Sequence, residues 1–329
     1  MNSNFSLALV TGLVTFFLAA CSPEPMESNA AMSSPDEEKK AEPLKIMLMT
    51  KSQSNPYYLM MEQGARKAAN ELGVTLVAKG TPNETHTALQ KKMILSSIEE
   101  GFDAIVFVPS KTPQLLPALK QVQDQGMVLV NLDDQINAEQ AEKVGLTPIP
   151  FVGIDNQAAA QALAEKVLEN NPDISNAYII LGPLTSPVST ARGEGFKSAL
   201  DKHQKTLLGE ESANWQYVEA YELSETLLAR ATEIDAFFCA NDVMALAVTQ
   251  LLIDKGIQNI KVIGYDAIPE ARTMVEQGKM TATLDQQSYQ QGELGVTAAV
   301  AQLNGEDVND EIWVTPELIV NLEEEISLE

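Results

Sequence analysis

The stretch that decides the fold runs from residue 44 to residue 77 and reads LKIMLMTKSQSNPYYLMMEQGARKAANELGVTLV. Ile46 to Met49 form a continuous apolar run, which is typical of a strand buried on both faces. Asn55 and Pro56 then supply a capping side chain and a proline at the first helical position. Apolar residues recur at helical spacing as far as Gly73, where a second apolar run begins. The order strand, helix, strand predicts the opening of a parallel α/β sheet.

The turn after this first strand brings polar and aromatic side chains to the strand's carboxyl end. They are Lys51, Asn55, Tyr57 and Tyr58. Open α/β sheets bind their ligands at the carboxyl ends of their strands, so these side chains are candidates for a binding site. The alternative for the two tyrosines is that they only brace the start of the helix.

The rest of the chain repeats the alternation of strands and helices. Strands are expected at 104–108, 127–132, 177–181, 217–221, 236–240, 261–264 and 280–284, and helices at 84–99, 115–125, 158–168, around Arg192 and at 243–252. The longer segment 135–150 interrupts this rhythm before residues 151–156, where the first passage between two lobes is expected. Alternating elements of this length predict parallel sheets with right-handed crossovers. The predicted fold class is therefore α/β, with two lobes that carry polar residues at their strand ends.

Length and charge limit the classes of function. A chain of 329 residues is long enough for about two domains. Its net charge of −24 argues against nucleic acid or an anionic membrane surface as the partner. The chain has two cysteines, and Cys239 lies in an apolar run and is expected to be buried, so no disulfide or metal framework can be built from the one that remains.

The sequence also argues against catalysis. The two histidines, His86 and His203, lie in charged helical contexts away from the strand ends. The chain has no phosphate loop, no GxSxG turn and no HExxH motif. We therefore expect a protein that is not an enzyme and that needs no cofactor or metal.

The N-terminal residues have the pattern of an export signal. Residues 1–20 contain no charged side chain and are mostly apolar, which predicts a signal peptide. The run Leu18-Ala19-Ala20-Cys21 resembles the bacterial lipoprotein box, so Cys21 is predicted to carry the lipid that anchors the protein to a membrane. Residues 21–43 are rich in Ser, Pro, Glu and Ala and are predicted to form a flexible tether.

A set of motifs in a fixed order resembles a known family. SNPYY, the strand end at Asp133, ARGEGF, CANDVMAL, VIGYDAIPE and ATLDQ follow one another along the chain. This set is similar to that of the type I periplasmic binding proteins, and most of all to the ribose-type, sugar-binding branch that serves ABC importers. The resemblance implies two doubly wound parallel-sheet lobes joined by a three-crossing hinge. The first lobe would comprise 44–154 plus 286–315, and the second 155–285 plus 316–329.

The resemblance also implies which side chains contact the ligand. They are Asn55, Tyr57, Tyr58, Asp133, Arg192, Trp215, Asn241, Asp266 and Gln286. The aromatic rings would cover the apolar faces of a sugar ring, and the charged and amide groups would bind its hydroxyls. We expect no catalytic residue among them.

One position departs from the ribose-type pattern. Where those proteins have Asp-Arg, this chain has Asp133-Asp134, so a donor is lost and a carboxylate is gained. Lys51 is expected to replace the donor. The ligand is therefore expected to be a polyol, a cyclitol, a differently configured sugar or an amino sugar rather than ribose. Asp134 either joins the site or points away and caps a loop.

The expected function is the capture of a monosaccharide or a related polyol by hinge closure, followed by delivery to a membrane permease and its ATPase. The protein would face the periplasm or the cell surface, held by lipid on Cys21. The alternative is a receptor that reports the same ligand to a chemoreceptor or a histidine kinase. A repressor with this fold is excluded, because the signal peptide and tether stand where its DNA-binding helices would be.

Overall fold

The structure is a computed structural model that describes residues 43–230 and 233–320. The predicted signal peptide, Cys21 and all of the tether but Pro43 lie outside the described residues. Within those residues, no helix combines the length and the apolar character needed to cross a bilayer.

Strands and helices alternate along the described chain. The strands are β1 (Lys45–Thr50), β2 (Thr75–Gly80), β3 (Ala104–Phe107), β4 (Val128–Leu132), β5 (Phe151–Gly153), β6 (Asn176–Leu181), β7 (Thr206–Ser212), β8 (Ala236–Cys239), β9 (Lys261–Ile263), β10 (Ala282–Asp285), β11 (Glu311–Trp313) and β12 (Glu317–Val320). The helices are α1 (Pro56–Leu72), α2 (Thr87–Glu99), α3 (Thr112–Asp124), α4 (Ala138–Lys143), α5 (Asn156–Asn170), α6 (Pro187–Lys202), α7 (Tyr217–Arg230), α8 (Asp242–Asp254), α9 (Pro269–Glu276) and α10 (Ser288–Leu303).

The strands form two six-stranded sheets, one in each lobe. The first has the order β11-β5-β4-β3-β1-β2 and the second β12-β10-β9-β8-β6-β7. All neighbours are parallel except β10 and β12. The strand order reverses beside β1 in the first sheet and beside β6 in the second, and such switch points are where open sheets leave a crevice for ligands. The predicted α/β class with two parallel-sheet lobes is confirmed.

The chain passes between the two sheets three times. It leaves the first sheet after β5, returns to the first lobe after β10, and crosses again between β11 and β12. On its return, α10 packs along α1, next to the first strand. Three adjacent connections form the hinge on which two such lobes can open and close.

Two expectations about local structure were wrong. A strand was expected at 217–221, but this segment begins α7, whose buried residues Ala220, Ser224 and Leu227 follow helical spacing. The strand lies earlier, as β7 at the edge of the sheet, where half-exposed side chains and Gly209 give little apolar signal. The helix expected from 84 begins only at Thr87, because the Asn83 side chain accepts hydrogen bonds from Thr85 and holds a turn there.

Two glycines allow α1 and α10 to touch at backbone distance. A methyl group on Gly64 would overlap the carbonyl oxygen of Tyr289, and one on Gly292 would overlap that of Met61. No larger residue fits without separating the helices. This contact fastens the segment that returns from the second lobe to the helix that follows the first strand.

One buried carboxylate ties together three loops of the second lobe. Asp242 Oδ2 accepts a hydrogen bond from the Ile268 amide at 2.9 Å, and Oδ1 accepts one from the Thr283 hydroxyl at 2.7 Å. Its own amide donates to the Tyr265 carbonyl at 2.7 Å. Burial raises the pKa of Asp242 from its ordinary value to about 6, although these bonds and the nearby Arg192 favour the ionised form.

We predict that Gly64→Ala and Gly292→Ala each lower the free energy of unfolding by about 1–3 kcal/mol, since overpacking outweighs the helix-forming advantage of alanine. Urea unfolding measures this. Gln290→Ala, on the exposed face of α10, is the matched control and should change little. Wild-type stability of both glycine variants would show that the helices need no such close approach.

We predict that the stability of the wild-type protein, relative to Asp242→Asn, decreases as the pH rises from 4 to 7. The folded state holds the Asp242 proton more tightly than the unfolded state does, so the stability from that proton is present at low pH and is lost as the pH passes 6. The relative change should not exceed about 3 kcal/mol. Denaturant unfolding of both proteins at several pH values tests this, with the exposed Asp307→Asn as control. A pH-independent difference would contradict it.

Candidate functional site

A cavity between the lobes brings together ten of the eleven predicted ligand-contact residues. Its walls are formed by Lys51, Asn55, Tyr57, Tyr58, Asp133, Arg192, Trp215, Asn241, Asp266 and Gln286, joined by Glu84 and Val188. Asp134, the eleventh, is not part of the wall. The cavity has a volume of about 20 Å³, and it shares Lys51, Glu84 and Trp215 with a second chamber of about 330 Å³.

The first lobe contributes an aromatic pair and a carboxylate. Tyr57 and Tyr58 begin α1, capped by the Asn55 side chain, and their rings meet edge to face with centroids 5.0 Å apart. The Tyr57 hydroxyl donates to Asp133 Oδ1 at 2.9 Å, which fixes the carboxylate at the end of β4 and leaves Oδ2 for other partners. The predicted role of the tyrosines as braces and their placement in the cavity wall are therefore compatible.

Glu84 is the wall residue that sequence reasoning missed. It was assigned to α2, but the turn that delays the helix places it in the loop after β2, facing Asn55 and Tyr58. Asn55 Nδ2 donates to Glu84 Oε1 at 2.9 Å, and the Tyr58 hydroxyl reaches Oε2 at 3.4 Å. Burial raises the pKa of Glu84 despite the opposing effect of Lys51. The available signal was that β2 lies parallel to β1, so its following loop opens at the same sheet edge.

The second lobe contributes the buried guanidinium of Arg192, which lies on α6 after the first strand of that lobe's sheet. Arg192 Nε donates to Asn156 Oδ1 at 2.9 Å, and Nη1 donates to the Ala240 carbonyl at 2.8 Å. Nη1 also lies 3.4 Å from Asp266 Oδ1, forming a buried ion pair. The group packs over the Tyr265 ring at 4.0 Å from its centroid. Only Nη2 is left without a partner among the described residues.

Asp266 shares its carboxylate between two neighbours. Gln286 Nε2 donates to Asp266 Oδ1 at 2.6 Å. Burial raises the pKa of Asp266 well above its ordinary range, and Asp242 and Asp133 add to this while Arg192 opposes it. The carboxyl group of Asp266 therefore holds its proton up to a higher pH than the carboxyl group of an exposed aspartate does.

Asn241 and Gln286 follow strands of the second sheet, and each has one amide atom without a hydrogen-bond partner among the described residues. Asn241 Oδ1 caps α8 by accepting from the Met244 amide at 2.9 Å, and Nδ2 has no partner among the described residues. Gln286 Oε1 is buried and likewise has no partner within the described ranges. A buried polar group without a partner costs free energy, so a spare donor and a spare acceptor facing one cavity indicate a polar guest.

Trp215 is an aromatic residue that the second lobe contributes to the wall. It follows β7 in the turn that leads into α7, and only 8% of it is exposed. Arg192 lies 5.7 Å from its ring centroid, and a Cβ on Gly182 would overlap the ring. The indole is therefore held by packing against Gly182, with Arg192 nearby, in the wall of the cavity.

The backbone is strained where these side chains enter the cavity. Asp133, Trp215 and Asp266 have positive φ angles of 62°, 63° and 120°. L-residues rarely adopt this region, and they persist in it only where the surrounding structure holds them there. Such residues cluster at functional sites. The strain turns each side chain away from its strand's direction and into the space between the lobes.

Comparison with known proteins agrees with this geometry. A family model described as a periplasmic binding protein domain matches residues 46–307. A D-ribose/D-allose-binding protein of Pseudomonas aeruginosa is 31% identical over 80% of this chain and 83% of its own. The D-allose-binding periplasmic protein of Escherichia coli is 30% identical over 77% and 82%.

A solved structure has the same arrangement of lobes. An ABC transporter periplasmic solute binding protein from Actinobacillus succinogenes, with D-allose bound, superposes with a TM-score of 0.81 at 27% identity. The alignment covers 84% of this chain and 98% of that one. Since the family model spans most of both lobes and relatives at 30% identity or more align along them, this chain belongs to the periplasmic binding protein family.

Proposed function

We propose that this protein captures a neutral monosaccharide of the allose and ribose class, or a related polyol, in the interlobe cavity and delivers it to an ABC permease. The observation that carries the proposal is the convergence of ten predicted contact residues from both lobes on one cavity. The names of the relatives, which bind ribose and allose, support the ligand class.

The chemistry of the wall suits a sugar. Aromatic rings on both sides, Tyr57 with Tyr58 and then Trp215, can cover the apolar C–H faces of a pyranose ring. Between them lie donors on Lys51 and Arg192 and acceptors on Asp133. A hydroxyl donates and accepts at once, so it can satisfy both kinds of group. Charge-assisted bonds of this type contribute about 1.5–3 kcal/mol each.

The remaining predictions are part of the same proposal. The lobes take the bounds 44–154 plus 286–315 and 155–285 plus 316–329. The chain is exported to the periplasm and attached to a membrane by lipid on Cys21, beyond the tether. Import is preferred to sensing because the Actinobacillus structure is that of an ABC transporter protein.

Thermal unfolding with a ligand panel tests the function. We expect D-allose, D-ribose or myo-inositol to raise the melting temperature, with D-glucosamine and L-leucine as cationic and non-sugar comparisons. A ligand present at 100 times its Kd adds about 2.7 kcal/mol of stability. The proposal is wrong if none of the sugars and polyols in the panel stabilises the protein, whether or not the amino acid does.

Intrinsic tryptophan fluorescence tests whether the ligand binds beside Trp215. The chain has two tryptophans, and Trp313 is 53% exposed and lies at the third crossing. We expect the ligand-induced change in fluorescence to persist in Trp313→Phe and to vanish in Trp215→Phe. The Trp215→Phe variant should also bind the sugar more weakly, because a smaller ring covers less of it. A signal that follows Trp313 instead would mean that the sugar lies elsewhere.

We predict that Asp133→Asn weakens sugar binding about 10- to 150-fold, the equivalent of one charge-assisted hydrogen bond. Calorimetric titration measures this loss. Asp201→Asn, on the exposed end of α6, is the control. Unchanged affinity in Asp133→Asn would remove this carboxylate from the site.

A further inference from the structure

The two carboxylates at the end of β4 point in different directions. Asp133, at φ 62°, faces the cavity, whereas Asp134 is outside its wall and only 2% exposed. Asp134 Oδ2 accepts a hydrogen bond from Lys51 Nζ at 2.9 Å, across the gap between the ends of β1 and β4. The two adjacent aspartates thus have different environments, and only Asp133 is in the wall of the cavity.

Lys51 is the group that connects Asp134 to the cavity. It is 4% exposed and is part of the wall of both the cavity and the outer chamber. An ammonium has three donors, and Asp134 takes one of them. The geometry leaves the other donors free to bind a guest between the lobes.

A buried ammonium needs a negative partner to stay charged. Burial lowers the pKa of Lys51, but Asp134, Asp133 and Glu84 outweigh it, so its pKa lies above the ordinary value. Of these three, Asp134 makes the direct contact. Without it the ammonium would tend to lose its proton or to turn toward Asp133 and Glu84, which also face the cavity.

The pair is not explained by stability. Desolvating two charges offsets most of their attraction, and Asp134 Oδ1 is buried with no partner in the part of the chain that the structure describes. Loop capping does not explain it either, because Asn131 already holds this loop: its Nδ2 donates to the Asp134 carbonyl at 3.0 Å, and its Oδ1 accepts from the Ile136 amide at 2.8 Å.

We infer that Asp134 is a positioning residue, which holds the Lys51 ammonium charged and aimed at a ligand hydroxyl and does not touch the ligand itself. The inference rests on the proposed function. It makes Lys51 the replacement for the arginine that ribose-type proteins carry at position 134, with the donor reaching the sugar from β1 instead of β4.

A double-mutant cycle tests the inference, using the sugar that binds most tightly in the panel above. Lys51→Met, Asp134→Asn and the double variant are titrated by calorimetry after their folding is checked by thermal unfolding. We expect Asp134→Asn to weaken binding at least tenfold in the wild-type background. In the Lys51→Met background the same change should alter Kd less than twofold, because the group through which Asp134 acts is gone.

The pH dependence of sugar binding distinguishes the inferred role of Asp134 from a purely structural one, which would leave that dependence unchanged. Without its partner Lys51 should deprotonate at a lower pH, so the ratio of the Asp134→Asn Kd to the wild-type Kd should grow between pH 6 and pH 9. The ratio of the double variant to Lys51→Met should stay constant. Glu139→Gln and Lys143→Met, which break an exposed pair on α4, are the matched controls and should leave Kd unchanged.

Three results would overturn the inference. Equal affinity of Asp134→Asn and wild type would show that Lys51 needs no such partner. A fivefold or larger effect of Asp134→Asn in the Lys51→Met background would show direct contact or a loop role, and a pH-independent ratio would exclude action through the Lys51 charge. In each case a sugar still binds and the proposed function stands; if no panel sugar binds the wild-type protein, both fail.

Discussion

The cleft buries charged side chains on both of its walls, and each finds its partners inside its own lobe. In the first lobe Lys51 pairs with Asp134, and Tyr57 donates to Asp133. In the second, Arg192 pairs with Asp266. Buried charges must be compensated wherever they lie, so a lobe that depended on the other for compensation could not open. Self-contained compensation leaves the hinge free to move.

This separation of the charges also explains how a ligand can control closure. A guest shifts an equilibrium between open and closed forms only as far as it binds one better than the other. Among the described residues, several groups of the wall have no partner. Arg192 Nη2 and Asn241 Nδ2 lie on the second lobe, Gln286 Oε1 lies where the chain returns to the first lobe, and Asp133 Oδ2 and the remaining Lys51 donors lie on the first. A molecule that binds both sets has full contact only when the lobes meet, so its binding favours closure.

Local signals predicted the parallel units and the part of the cavity wall that follows the first strand, whereas the rest of the wall was implied by the resemblance to a family. Apolar runs mark buried strands, and cap residues mark the helix starts after them; Asn55 and Asn241 both cap a helix and stand in the wall. What the sequence could not predict depended on distant contacts. Glu84 faces the site because Asn83 delays a helix, and the role of Asp134 is visible only once β1 and β4 bring Lys51 beside it.

The same reasoning bears on the kind of guest that the cavity accepts. Glu84, Asp133 and Asp266 supply acceptors, and burial raises the pKa of Glu84 and of Asp266, so both carboxyl groups are easier to protonate than exposed ones. Lys51 and Arg192 keep their positive charges close to them. A cationic guest would have to approach both cations, whereas a neutral polyhydroxyl compound can donate to the carboxylates and accept from the cations in turn. Under the proposed function, a neutral sugar uses this alternation of cations and carboxylates in the wall, which the net charge of the chain does not reveal.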